Sequence, residues 1–357
     1  MNPIPIQKLY HPQYELLSID DKKKLLTKIG ETYHLELLYF QKFSAFEKST
    51  YTAVYRSKDG IKFVFVPGDT VKLGIDFKNK KLHEIFNQEN LDELAYVFLD
   101  CYEDEICNEN MIAKKIKEKL ADKDILFQIE DYLNHHFTKE EDCIIHPLLV
   151  QQNYSETCWT KMSDDELKQN TEFQKMIEKA EKDGIDEITI YKTVLFYQEN
   201  GNWYGKRYKE RTFQDLFQDI TDNGYSLPTK REWEYLAGKG CRSIFPWGNN
   251  MDFSMNLRHI EWLDSDGDYS LEKENFFGLH IADDPYCREI VYDNGMFSYK
   301  GGDGGRNICG GLGMIWGYFP VSPYFQDNKE EIGDTINGGY DFFRRVIRIT
   351  DDSVNVL

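Results

Sequence analysis

The sequence predicts an α+β fold, and three observations carry that expectation. Residues 51–55 and 63–66 are β-rich and flank a Lys58-Asp59-Gly60 turn, the pattern of a hairpin. Residues 80–140 contain no Gly or Pro and are rich in Glu, Lys and Leu, which reads as helical hairpins. From about residue 224 onward periodicity gives way to Gly, aromatics and Asp, and 20 of the 25 glycines fall between 201 and 339. That half is expected to be loop-rich.

Taken in order, residues 13–47 read as helical. Ser18 is placed to cap a start, and Asp20 and Asp21 suit a first turn. Leu25, Leu26, Ile29, Leu35, Leu37 and Leu38 form a rough helical stripe. Gly30 interrupts it, so one helix or two remain open. The hairpin follows and runs into Pro67-Gly68. After the helical 80–140 stretch, residues 144–150 read as one short apolar strand. Residues 163–184 read as a polar helix, and 188–197 as a strand ending in an Asn200-Gly201-Asn202 turn. This gives an N-terminal helical segment, 1–50, and a main domain, 51–357, with helical insertions at about 80–140 and 163–185.

Composition narrows the function. Of 357 residues, 43 are Lys or Arg and 62 are Asp or Glu, for a net charge of −19. That balance speaks against general nucleic-acid binding, where cations must neutralise phosphates. An apolar fraction of 41% is enough for a real core. The seven cysteines are odd in number, scattered and without a CxxC pair, so neither a disulfide framework nor a common zinc site is expected. No run approaches the ~18 apolar residues of a membrane helix. The first residues show no basic region followed by an apolar run. A cytoplasmic protein with no membrane contact is the expectation.

Leu227-Pro228-Thr229-Lys230-Arg231-Glu232-Trp233-Glu234-Tyr235-Leu236-Ala237 carries a capping box, Thr229 with Glu232, ahead of a helix presenting Trp233, Leu236 and Ala237 on one face. An aromatic turn, Phe245-Pro246-Trp247-Gly248-Asn249, follows. With these stand Phe63-Val64-Phe65-Val66-Pro67-Gly68-Asp69, Ile144-Ile145-His146-Pro147-Leu148-Leu149-Val150 and the segment 154–159. Asn275-Phe276-Phe277-Gly278-Leu279, Lys300-Gly301-Gly302 and Asp341-Phe342-Phe343-Arg344 complete the series. In this order the stretches resemble the sulfatase-modifying-factor family, whose founding members are formylglycine-generating enzymes. The match covers roughly 60–350, with insertions near 80–140 and 163–215. The resemblance implies a C-type-lectin-like fold of small twisted sheets, a strand and short helix at 144–159, a closing strand at 341–344 and often bound calcium.

The resemblance also implies a copper ion held by two cysteines shortly after the glycine turn. Here that stretch, 301–316, carries Cys309 alone. Linear Cu(I) coordination uses two soft thiolates, so the pair is incomplete unless Cys287 converges from another loop. The family's Gly-Asn-Val-Trp-Glu-Trp-like strand is replaced by Asp284-Pro285-Tyr286-Cys287-Arg288-Glu289-Ile290. The adjacent His135 and His136 lack helical metal spacing.

Several residues are therefore candidates. Cys309 is either a surviving metal or thiol ligand, and then catalytic, or a small buried apolar residue. Arg306, Asn307, Trp316, Tyr318 and Tyr324 make either a ligand pocket or loop packing. Asp264, Asp266 and Asp268 alternate as oxygen ligands of calcium would, or form a solvated acidic turn. Asn256 resembles the family's calcium-associated Asn. Trp203, Tyr204, Lys206 and Arg207 form a basic aromatic spot, either a base-stacking platform or an exposed hairpin edge protected by charge. Arg344 and Arg348 either offer anion contacts or share the solvated face of a closing strand. The helical insertion, with Ile85, Leu91, Leu94, Phe98 and Ile125, is expected to pack on the body. Two functions follow: a non-catalytic peptide- or protein-binding module of a larger assembly, or a metal-dependent oxidase modifying a cysteine or another residue of a peptide.

Overall fold

Ser18 opens the first long helix as its sequence position implies, its hydroxyl accepting the Asp21 N–H at 3.1 Å. The computed structural model describes residues 5–78, 80–99, 109–260, 268–327 and 335–350. A short helix α1 (Gln13–Leu16) precedes α2 (Ile19–Thr32). The latter passes through Gly30 without a break, where any Cβ would press on the Tyr55 ring at 3.0 Å.

The helical reading fails after residue 32. Strand β1 (Glu36–Ala45) pairs antiparallel with β2 (Lys48–Arg56), a hairpin that crosses the boundary expected near residue 50. Its two-residue turn is Phe46-Glu47, with φ of 50° and 59°. Such turns usually announce themselves with Asn-Gly or Asp-Gly, and this one carries neither.

Next come β3 (Lys62–Val66), β4 (Asp69–Leu73) and the helical insertion. The insertion comprises α3 (Leu82–Ile85), α4 (Gln88–Tyr96), α5 (Glu109–Ala121) and α6 (Lys123–His136). As expected it packs on the body, with Ile85, Leu91, Leu94 and Ile125 buried in the main core and Phe98 against it. The expected single strand at 144–150 is two, β5 (Glu141–Ile145) and β6 (Leu148–Gln151), because Pro147 separates them and they join different sheets. Residues 154–159 hold no helix; β7 (Ser155–Glu156) and the start of β8 (Trp159–Lys161) lie there.

The polar helix expected at 163–184 divides into α7 (Asp164–Gln169) and α8 (Thr171–Asp183). Asn170 caps α8, accepting from Glu172 and Phe173 N–H. The strand expected at 188–197 is a hairpin of β9 (Glu187–Ile190) and β10 (Val194–Glu199), followed by β11 (Asn202–Tyr208). Strand β11 is an inner strand, between β8 and β10, so the basic aromatic spot is not an edge. Lys206 pairs with Glu156 at 2.7 Å, Arg207 with Glu166, and Trp203 donates to Glu181 at 3.0 Å.

The remaining elements are α9 (Phe213–Asp222), α10 (Lys230–Gly238), β12 (Arg288–Asp293), β13 (Met296–Lys300), α11 (Arg306–Cys309), α12 (Met314–Tyr318), β14 (Asp341–Phe343) and β15 (Val346–Arg348). The closing strand is thus two strands in two sheets. Arg344 and Arg348 share no solvated face. Fully buried, Arg344 pairs with Glu289 at 2.6 Å, and Arg348 pairs with Glu232 at 2.6 Å.

The fold is α+β, with sheets ordered β1-β2-β3-β6-β15, β8-β11-β10-β9, β13-β12-β14-β7 and β4-β5. All pairings between these strands are antiparallel except β12 with β14, and an isolated bridge, Tyr10 with Gly68, is also parallel. The inner strands β3 and β6 of the five-stranded sheet are buried on both faces, which explains the unbroken Phe63-Val64-Phe65-Val66 run. Phe63 and Phe65 meet Leu25, Leu26 and Ile29 of α2, whereas Val64 and Val66 meet the insertion and α10. No helix among the described residues is long and apolar enough to cross a membrane.

Candidate functional site

The helical insertion reaches across to the glycine-rich 301–316 stretch through one carboxylate. Glu93 on α4 accepts the backbone N–H groups of Met314 and, at 3.2 Å, Ile315, so it caps α12 from another part of the chain. Burial pushes its pKa up against the lowering effect of those two bonds.

Between these segments lies a groove of about 800 Å³. Tyr96 and Ile116 of the insertion line it opposite Ile308, Cys309 and Leu312, and His259, Ile260 and Tyr286 complete the wall. Tyr96 is 50% exposed, so an aromatic face is on offer at the rim. Asp92 and Glu93 add two carboxylates to its lining.

At the Cys309 side three groups are linked. The Tyr286 hydroxyl hydrogen-bonds the exposed Cys309 thiol, which, with burial, pushes the phenol up to about 12. The His259 ring lies 4.4 Å from that of Tyr286, centroid to centroid, and its Nε2 is 3.0 Å from Asp284 Oδ1. Asp284 Oδ1 also accepts the Tyr286 N–H at 2.8 Å, fixing the tyrosine backbone. His259 holds φ at +65°, a left-handed conformation costly for a residue with a side chain.

Of the residues expected to form a ligand pocket, three are core. Trp316 is 5% exposed and donates its Nε1–H to Leu94 O at 3.2 Å. The Tyr318 hydroxyl donates to Arg258 O at 2.6 Å and that of Tyr324 to Cys241 O at 2.6 Å. Arg306 pairs with Asp327, and its Nε donates to Asp303 O at 3.1 Å. Asn307 donates to Tyr132 Oη and Trp316 O, each at 3.1 Å. This constellation braces the groove from behind; it does not line it. Aromatics in a loop-rich fold satisfy the core first, because each buries a large apolar area.

The structure brings Cys309 to Tyr286 and gives Cys287 a different partner, the Tyr154 hydroxyl at 3.7 Å. Burial, reinforced by Asp284, pushes the Cys287 thiol well above its usual range. At the calcium candidate, Asn256 Nδ2 donates to Asp268 O at 2.9 Å, and the exposed Asp268 carboxylate lies 3.1 Å from Lys273 Nζ. Asp264 and Asp266 fall outside the described residues. Among the described residues no three His, Cys, Asp or Glu side chains converge as a metal site. His136 is stacked on Phe325 at 5.6 Å and its Nδ1 lies 3.2 Å from Gln326 O.

Tyr96, Ile116, His259, Tyr286 and Leu312 were not marked by the sequence pattern. Only Leu312, an apolar residue alone among Gly310, Gly311 and Gly313, carries a local signal. No protein-family model matches the chain, and no curated protein matches it.

Proposed function

We propose that the chain is a non-catalytic peptide- or protein-binding module on a formylglycine-generating-enzyme-like, C-type-lectin-like scaffold, serving in a larger assembly. The observation that carries this reading is the groove, open, half aromatic and apolar, with two carboxylates in its lining and walls drawn from several distant segments. Such a shape suits an extended peptide with apolar anchors and basic flanks.

The scaffold reading is supported by how the family-like motifs meet. Trp233 packs at Gly301, where a Cβ would lie 2.8 Å from its ring. Asn275 Nδ2 donates to Leu236 O at 2.8 Å while its Oδ1 accepts from Phe277 and Leu279 N–H. Arg344 joins Glu289 and the carbonyl of Gln151. Motifs far apart in sequence thus brace one another around one core.

Selection from a random displayed-peptide library tests the function. Enriched peptides should carry Lys or Arg beside an aliphatic or aromatic residue and lose at least about tenfold in affinity, roughly 1.4 kcal/mol, for Leu312→Asp. Equal affinity for that variant, or no enrichment, overturns the reading. One observation favours the metal-dependent oxidase instead: the Cys309 thiol stands exposed in the groove. Tight stoichiometric Cu(I) that disappears in Cys309→Ser would decide for it.

A further inference from the structure

A second cavity, of about 450 Å³, lies on the other side of the His259–Asp284 contact. Most of the charged groups lining it are committed. Glu272 holds Arg258 through its Nε at 2.5 Å, His280 Nδ1 is 2.9 Å from Glu272 O, and Asp284 is taken by His259 and the Tyr286 N–H.

Asp283 is different. It is 8% exposed, yet the hydrogen bond that favours its charged form comes from its own backbone N–H. Glu289 and Asp284 repel its negative charge, and Arg344, the cation that favours it, is already bonded to Glu289. Beside it the half-buried Cys287 adds a thiol whose pKa burial raises. Asn153 and Tyr154, whose side chains carry uncharged oxygens, line the same cavity. A buried carboxylate without a cation is costly, and this one faces a polar space large enough for an organic group.

We propose that this cavity binds a primary ammonium group, with the Asp283 carboxylate as counter-charge and the Asn153 and Tyr154 oxygens as neutral acceptors. Three N–H donors on one nitrogen match one anionic and two neutral acceptors. A divalent hard cation wants about six to eight oxygens, often several of them charged, and among the described residues lining this cavity only the Asp283 carboxylate is uncommitted. The inference does not depend on the groove being a peptide site.

The test follows the side-chain carboxyl carbon of Asp283 by NMR in the wild-type protein, titrated with n-butylammonium. Free, Asp283 should ionise with a midpoint near 7. Saturating n-butylammonium should lower that midpoint by about one pH unit or more, as an opposite charge in contact does. Affinity should rise with pH through the same midpoint, and tetramethylammonium, which has no N–H donors, should leave the signal where it was. An unchanged midpoint with n-butylammonium, or an equal shift with tetramethylammonium, overturns the proposal. Asp283→Asn should lose the binding, and because the wild-type titration stands alone, misfolding of that variant leaves the test intact. Tighter binding of N-acetyl-lysine methylamide than of n-butylammonium assigns the ammonium to a lysine side chain; the reverse order assigns it to a free amine.

Discussion

Lys300 Nζ lies 3.1 Å from Glu234 Oε1, and both side chains are only 1% exposed. The lysine also donates to Phe325 O at 2.7 Å, while Glu234 accepts from Thr138 at 2.7 Å and Arg231 at 2.8 Å. Desolvation lowers the Lys300 pKa and the Glu234 charge works against it. The pair ties α10 to the last residue of β13, immediately before the glycine turn.

Glu234→Leu should therefore destabilise the protein by about 3–5 kcal/mol, because it strands a buried ammonium. The double variant Glu234→Leu/Lys300→Met should recover a large part of that loss. Urea unfolding of the four forms measures it, and additive losses would deny the coupling.

Gly301 and Gly311 both hold positive φ, at 89° and 68°. A Cβ at Gly301 would lie 2.8 Å from the Trp233 ring, whereas nothing stands within 4 Å at Gly311. Gly301→Ala should add an overpacking cost of about 1–3 kcal/mol to the left-handed backbone cost of roughly 1–2 kcal/mol that Gly311→Ala bears alone. Equal shifts in the urea midpoint would contradict the packing account.

Trp316→Ala should behave as a core truncation, losing about 3–5 kcal/mol in stability, whereas Tyr96→Ala at the groove rim should cost little. Thermal melts of the two variants separate core from groove.

How much of this was legible in the sequence depends on how local each signal is. The caps at Ser18 and Thr229 were readable because both partners of each lie within one turn. The strand at 36–45 was not: Leu35, Leu37 and Leu38 fit a helical stripe as well as a strand, and its turn at Phe46-Glu47 lacks the usual residues. Arg344 looked solvated because its partner Glu289 is 55 positions away. Trp316, Tyr318 and Tyr324 were recognised as a group, but whether an aromatic faces core or groove is decided by helices such as α4, distant in sequence. The same holds for Tyr286 and His259, which meet across a loop.

Asp283 carries a pH dependence. Its pKa stands near 7 in the folded chain, against 3.8 for an unperturbed carboxyl, so the native state keeps a proton that the unfolded state has lost. Its contribution is therefore full below about pH 4 and is lost as pH rises to about 7, a loss on the order of 4 kcal/mol. Asp283→Asn should flatten the stability-against-pH curve in that window. A curve of unchanged slope would refute the shift.

Cys309 is exposed, while Cys158 and Cys241 are buried and burial raises the thiols of Cys241 and Cys287. Iodoacetamide at neutral pH should alkylate Cys309 well before those three, as peptide mapping would reveal. Simultaneous labelling would contradict the burial order.

Strand β6 takes one neighbour, β3, from early in the chain and the other, β15, from residues 346–348. During translation at roughly 5–20 residues per second, the flank of Leu148–Gln151 awaiting β15 stays open for on the order of ten seconds or more. An apolar strand with a free edge invites pairing with a foreign strand. The nascent protein thus exposes an apolar strand edge that the finished one has covered.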